Sequence, residues 1–338
     1  MRYRLLGRTG IRVSELFFGA MTFYERGGAD TARERLAMLD AYAEAGGNVI
    51  DTASAYGESE DVLGDLLGER RDRFVLASKY TLSRDQSDAN AAGNHRKNLT
   101  RSLEASLRRL RTDHIDLFWV HIWDRHTPIE ETMRALDDAV RSGKILSVGV
   151  SNMPAWLVSR ANTLAEWRDW TPFAGLQVPY NLLNRDIERE LLPLAKAYGM
   201  TVAAYHPLAS GVLSGKFTDT SRPEKPTRVD PDSLTARDHA AARAVRNAAA
   251  GLGVSPAQVA IAWLLSRSRN VHPLIGSGDP AQLADNLGAV DVELPDEVAR
   301  RLTDAVEFEV GYPTDFVSVA EADPWVFSEP AARIDAAR

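Results

Sequence analysis

The 338-residue chain predicts a (β/α)8 barrel of the TIM type, and three observations carry that prediction. Eight short apolar, β-branched runs recur along the chain. Their hydrophobicity is near-continuous rather than alternating, as expected of parallel strands covered on both faces. Segments of helical spacing lie between them, so the repeat reads as strand, helix, strand, helix, which closes into a barrel more readily than an open sheet.

The predicted strands are "ELFFG" (15–19), "NVID" (48–51), "FVLASK" (74–79), "DLFWVH" (116–121), "ILSVGV" (145–150), "GLQVP" (175–179), "TVAAY" (201–205) and "VHPLI" (271–275). A hairpin, "YRLLGRTGIRV", with Thr9-Gly10 at its turn, is expected to plug the bottom of the barrel. The first helix spans 30–45, with Asp30 as N-cap, Leu36, Leu39 and Ala43 on one face, and Gly46-Gly47 as the stop. Further helices fit 58–70, 94–110, 130–142, 186–198 and 255–268. In the last of these, Ser255 precedes Pro256 at the first helical position. After the seventh strand the spacing lengthens, and "TDTSRPEKPTRVDPDS" (218–233) reads as a mobile loop, a length usually reserved for function. The chain is read as one domain, core about 3–305, with a tail at 306–338 carrying Tyr312, Phe316 and Trp325. The tail either covers the pocket mouth or packs beneath the barrel.

Composition narrows the chemistry. There are no cysteines, so thiolate catalysis, zinc-thiolate sites and disulfides are excluded. That composition fits a reducing compartment, and no apolar run of signal-peptide or membrane-spanning length occurs, so the expected location is the cytoplasm. The net charge of −7 mixes both signs without a basic block, so the expected partner is a small molecule, with no nucleic acid, membrane or metal. His121, Asp124 and His126 lack the helical spacing and further ligands of a metal site. His114 and His272 read as structural or surface residues.

Active sites of this fold lie at the C-terminal ends of the strands. Taken in order, those ends are Asp51, Lys79, His121, Ser151-Asn152, Gln177, Tyr205 and Gly276. Capping alone does not explain so many polar groups on one rim. Tyr56 follows Asp51 in "DTASAYG". A phenol has a reference pKa of about 10, and a nearby ammonium favours its ionised form. Lys79 is the only strand-end cation, and Asp51 supplies its counter-charge. His121 can donate to a substrate oxygen. This is a proton-transfer set for a carbonyl becoming an alcohol. Side chains cannot deliver hydride, so a cofactor is required.

The stretches "DTASAYG", "FVLASKY", "IDLFWVHIWD", "VGVSNM", "LQVPYNLLNRD", "PLASGVLSGKF" and "QLADNLGAV", in that order over about 3–290, together resemble the aldo-keto reductases. The resemblance implies NAD(P)H-dependent interconversion of aldehydes or ketones, sugar-type carbonyls included, with alcohols. It makes Tyr56 the proton donor, tuned by Asp51 and Lys79, with His121 orienting the carbonyl. It assigns Ser151, Asn152 and Gln177 to the nicotinamide carboxamide and Tyr205 to stacking on the ring. Leu208, Ser210, Gly211, Leu213 and Lys216 fall in the loop around the pyrophosphate, and Thr22 joins the cofactor set. Gly276, Ser277, Gly278, Asp279, Gln282 and Asn286 fall at the adenosine end. Phe23, Tyr24 and Trp123, with Trp156 as a further candidate, are expected to wall the substrate pocket.

Members using NADPH usually carry an arginine shortly after the glycine matching Gly276, where this chain has Gly278 and Asp279. An aspartate there repels a 2′-phosphate and suits ribose hydroxyls, which points to NADH use or tolerance. Asp279 also reads as the N-cap of a helix begun by Pro280. "GVLSGKF" is not a phosphate-binding P-loop, since only three residues separate its glycines and Phe217 follows its lysine. Two other classes compete. Potassium-channel beta subunits share the fold and bind cofactor with little turnover, and a carboxylate hydrolase would need paired rim acids, of which only Asp51 is clear.

Overall fold

The computed structural model describes residues 1–217, 228–322 and 326. A hairpin of β1 (Tyr3–Leu5) and β2 (Arg12–Ser14) precedes eight parallel strands: β3 (Phe17–Gly19), β4 (Val49–Asp51), β5 (Val75–Tyr80), β6 (Ile115–Val120), β7 (Ile145–Ser151), β8 (Phe173–Pro179), β9 (Thr201–Tyr205) and β10 (Val271–Ile275). They form a closed barrel in sequence order, with β10 pairing back to β3. All eight predicted strands are present, each within a few residues of its expected bounds.

Alternation along the strands sorts side chains between the lumen and the helical shell. Val49, Val75, Ala77, Leu117, Trp119 and Ala203 form one interior cluster with Leu6 and Val13 of the hairpin. The hairpin therefore closes the N-terminal end of the barrel. Asn48 ties it there, accepting from the Ser14 amide at 2.8 Å and donating to the Arg12 carbonyl at 2.8 Å. The connection is longer than a Thr9-Gly10 turn: Leu6 N–H donates to Ile11 O at 2.8 Å, enclosing four residues. Within it Gly7 has φ +54°, and a Cβ there would lie 2.3 Å from Ala174 O. Trp119, fully buried, fills the middle of the lumen. A Cβ on Gly149 would come 2.3 Å from its ring, so β7 passes Trp119 only as glycine.

The outer shell departs from expectation in places. The first helix is Ala29–Glu44, and its N-cap is Gly28. Asp30 lies inside the first turn, where it pairs with Arg33 and favours the helix N-terminus by charge. Leu39, Ala43 and the unforeseen Met38 and Tyr42 are buried. The 58–70 segment is α-helical over Ser59–Leu67 and continues as a 3-10 turn to Arg73, and the 186–198 segment splits into Asp186–Glu188 and Leu191–Tyr198. Pro256–Arg267 carries the expected cap, Ser255 accepting from Gln258 N–H within a reciprocal capping box. Helices Ala155–Arg168, Ala236–Leu252, Asp296–Asp304 and Thr314–Ala322 were not anticipated. Of the segment read as a mobile loop, 228–233 contains the short turn Pro231–Ser233, whereas 218–227 lies outside the described residues. The tail runs beside the loop after β8. The Arg185 and Arg189 guanidiniums lie 4.6 and 4.8 Å from the Phe308 ring centroid, and Trp325 is outside the described residues. No single helix among the described residues is long and apolar enough to cross a membrane.

His272 sits fully buried at the bottom of the barrel, Nδ1 2.9 Å from Ser14 O, beside the Phe17 ring. Burial lowers its pKa to about 4. The unfolded chain takes up a proton as pH falls through about 6.5, whereas the folded chain does so only near 4. Stability from this site is therefore present above pH 6.5 and is lost on acidification from there towards 4. Thermal unfolding at pH 7.5 and pH 5 should show a smaller fall in Tm for His272→Gln than for the parent. Equal falls would remove His272 from the account.

Candidate active site

The residues that cap the lumen follow directly from the alternation that fills it. Two positions beyond Val49, Ala77, Trp119 and Ala203 come Asp51, Lys79, His121 and Tyr205. Two positions beyond Gly149 and Gly175, the glycines against Trp119, come Ser151 and Gln177. An apolar layer is thus crowned by a polar one, without any break in strand register.

At its centre Lys79, fully buried, forms an ion pair with the Asp51 carboxylate and donates to Thr52 O at 2.8 Å. The other Asp51 oxygen accepts from Gln177 Nε2 at 2.9 Å. The half-buried Tyr56 reaches back over this pair from the loop after β4, its ring centroid 4.9 Å from Lys79 Nζ. His121 meets the Tyr56 ring edge-on at 5.9 Å. Burial, and then the Lys79 charge, lower the His121 pKa to about 4, so the imidazole is neutral at pH 7. Its Nδ1 is buried and has no hydrogen-bond partner among the described residues.

Asn152 joins these groups to the next strand. It sits at φ +48°, donates from Nδ2 to His121 O and to Ser151 Oγ, both at 2.9 Å, and accepts from the Tyr205 hydroxyl at 2.9 Å. Burial raises the Tyr205 pKa. Beyond Tyr205, Ala209, Ser210 and Gly211 have φ of +47°, +57° and +100° in succession. Left-handed non-glycine residues cost about 1–3 kcal/mol each and cluster where backbone clamps a ligand. Across the mouth, Thr22 donates to Ser277 O at 2.8 Å, and the Asp279 carboxylate caps helix Pro280–Leu287 by accepting from Ala281 N–H at 2.8 Å. The capping role read for Asp279 is therefore formed.

One cavity of about 780 Å³ runs through all of this. It brings together Asp51, Tyr56 and His121 with Thr22, Ser151, Asn152, Gln177, Tyr205, Leu208, Ser210, Gly211 and Lys216, and with the 276–286 residues singled out in the sequence. Lys79 lies just beneath its floor. Other expected residues stand elsewhere. Leu213 is fully buried in the core. Phe23 is also fully buried, packed on Phe18 with the Arg35 guanidinium 5.1 Å from its ring, while Tyr24 is exposed at the surface. A residue's type and nearness to a rim do not say which way it turns. Trp123 lines a second cavity on the far side of Asn152. The sequence reading missed Met21, His206 and Arg228, which also line the main cavity. His206 adjoins Tyr205 and was findable on that ground. Arg228 follows a segment with no periodic pattern and carried no signal.

Comparison with known proteins agrees with this geometry. A family model described as the aldo/keto reductase family matches residues 15–307. Norsolorinic acid reductase stcV of Emericella nidulans is 39% identical over 321 residues, covering 91% of this chain and 82% of that protein. Aldo-keto reductase ausK of Aspergillus calidoustus is 36% identical over 341 residues, covering 95% and 86%. Aryl-alcohol dehydrogenase GME11368 of Pestalotiopsis microspora is 33% identical over 333 residues, covering 94% and 85%. Strand-end chemistry, barrel closure and family match converge: this chain belongs to the aldo-keto reductase family, oxidoreductases that use a nicotinamide cofactor on small carbonyl and alcohol substrates.

Proposed function

We propose that the chain interconverts aldehydes or ketones and alcohols, with Tyr56 as the proton donor and acceptor. The observation carrying this reading is the Lys79–Asp51 pair buried beneath the Tyr56 ring, with a neutral His121 beside it. A bound nicotinamide supplies the hydride equivalent that no side chain provides. The residues present fit such a nucleotide. The cavity has the size of a cofactor site, and His121 Nδ1 is buried without a partner. Ser151, Asn152 and Gln177 line the cavity and would offer hydroxyl and amide groups to a carboxamide. Tyr205 offers a ring face, and the left-handed 209–211 loop and Lys216 offer amides and charge for phosphates.

In the forward direction the Tyr56 hydroxyl gives its proton to the carbonyl oxygen. The Lys79 ammonium stabilises the negative charge then left on the phenol oxygen, and Asp51 with Thr52 O holds Lys79 in place. His121, neutral at pH 7, donates a hydrogen bond that orients the carbonyl. The name aryl-alcohol dehydrogenase, carried by a relative, supports aromatic rather than sugar-type carbonyls as this chain's substrates. At the adenosine end, the Asp279 carboxylate lines the cavity and disfavours a 2′-phosphate, so NAD(H) is used or tolerated.

Two measurements test these assignments. Tyr56→Phe keeps the ring and loses the acid, so nucleotide binding by fluorescence should persist while kcat falls by about 10²- to 10⁴-fold. A variant turning over near the parental rate would make the tyrosine structural. Asp279→Asn keeps an N-cap side chain and removes the charge. It should raise the kcat/KM ratio of NADPH to NADH, and no change in that ratio would show that the carboxylate does not reach the ribose.

A further inference from the structure

The second cavity, about 530 Å³, opens on the catalytic face across the loops after β6, β7 and β8. Asn152 is the one residue that lines both cavities among the described residues, so the two meet at the strand end beside His121. Its walls are apolar, with Trp123, Met153, Val178 and Ile187 among them. Trp156, exposed, stands edge-on to Trp123 at 6.0 Å and extends the aromatic surface.

Four polar residues, Arg125, Asn152, Asn184 and Asp186, break this apolar lining, and Asp186 is ion-paired with Arg189. Arg125 lies with its guanidinium 5.4 Å from the Trp123 ring centroid and makes no ion pair among the described residues. Asn184 lines the cavity too, and among the described residues its buried Oδ1 has no hydrogen-bond partner. A buried acceptor left unpaired is costly, commonly about 1–3 kcal/mol. The 181–184 turn does not use it: that turn is held by Asn181, whose Oδ1 accepts from the Leu183 and Asn184 amides at 2.9 and 2.8 Å. Apolar walls with a few placed polar groups are what a small-molecule site presents.

We propose that this cavity binds the non-reacting ring of an aromatic carbonyl substrate, a ring bearing a hydroxyl. The flat ring packs on Trp123, its O–H donates to Asn184 Oδ1, and Arg125 takes an oxygen substituent at the open edge. The carbonyl then reaches past Asn152 to His121 and Tyr56. This deepens the oxidoreductase reading and rests on it. It makes Asn184 and Arg125 specificity-determining residues that a compound with one ring does not engage.

The test has two arms. In the first, 6-hydroxy-2-naphthoate, which has no reducible carbonyl, is titrated into the full chain while tryptophan fluorescence is followed. Saturable quenching is expected, with Kd raised at least tenfold in Asn184→Leu and in Arg125→Gln. In the second, kcat/KM is compared for 6-hydroxy-2-naphthaldehyde and benzaldehyde. The loss in Asn184→Leu should be at least tenfold greater for the two-ring aldehyde. Equal Kd values for the naphthoate in the parent and both variants would overturn the subsite, whatever the turnover. If the parent reduced neither aldehyde, the oxidoreductase reading would fail, and the titration would still decide the subsite.

Discussion

A buried ammonium held against a buried carboxylate, Lys79 on Asp51, is the constraint from which the rest of the site follows. Both side chains are almost fully removed from water, where an unpaired charge costs several kcal/mol. The fold answers with Thr52 O on the lysine and Gln177 Nε2 on the aspartate. Removing either partner strands the other, typically at about 3–5 kcal/mol. A pair so expensive to bury is a weak device for stability. It makes sense as a fixed positive charge set under a phenol, in a setting where little water screens it. Burial, and after it the Lys79 charge, lower the His121 pKa, so the imidazole beside this pair is neutral at pH 7.

That pair stands where it does because of what lies below. Trp119 fills the lumen, and β7 and β8 pass it at Gly149 and Gly175. The hairpin seals the lower end with Leu6 and Val13. The lumen is therefore closed from beneath, and the polar groups that face the main cavity lie in its upper layer. Shape at the bottom and chemistry at the top are two consequences of one alternating pattern. Asn152, held in a left-handed conformation, carries the network outwards to Tyr205 and to the second cavity.

The strands were legible because burial on both faces leaves an unbroken apolar signature, and their last residues were legible because a carboxylate, ammonium or imidazole on such a run is out of place. Helices were read where an apolar stripe or a cap announced them, as at Ser255. Ala155–Arg168 and Ala236–Leu252 escaped because alanine-rich faces against a barrel carry little contrast. Asp30 was mistaken for a cap because residue type alone does not separate Ncap from the first turn; Gly28 holds that place instead. The substrate side was least legible. Phe23 and Tyr24 differ in burial completely despite being neighbours, and the second cavity is assembled from three loops distant in sequence. Tertiary packing decides such things, and local pattern does not record it.

The central claim is that Lys79 acts on proton transfer through Tyr56 and does not merely fill the barrel. It is tested most directly by kcat measured across pH for Lys79→Met, in protein first shown to bind nucleotide with about parental affinity. The account predicts that kcat near neutral pH falls at least a hundredfold, and that the remaining activity follows a pH profile of different shape. A variant that binds nucleotide and keeps both the parental rate and the parental profile would contradict it.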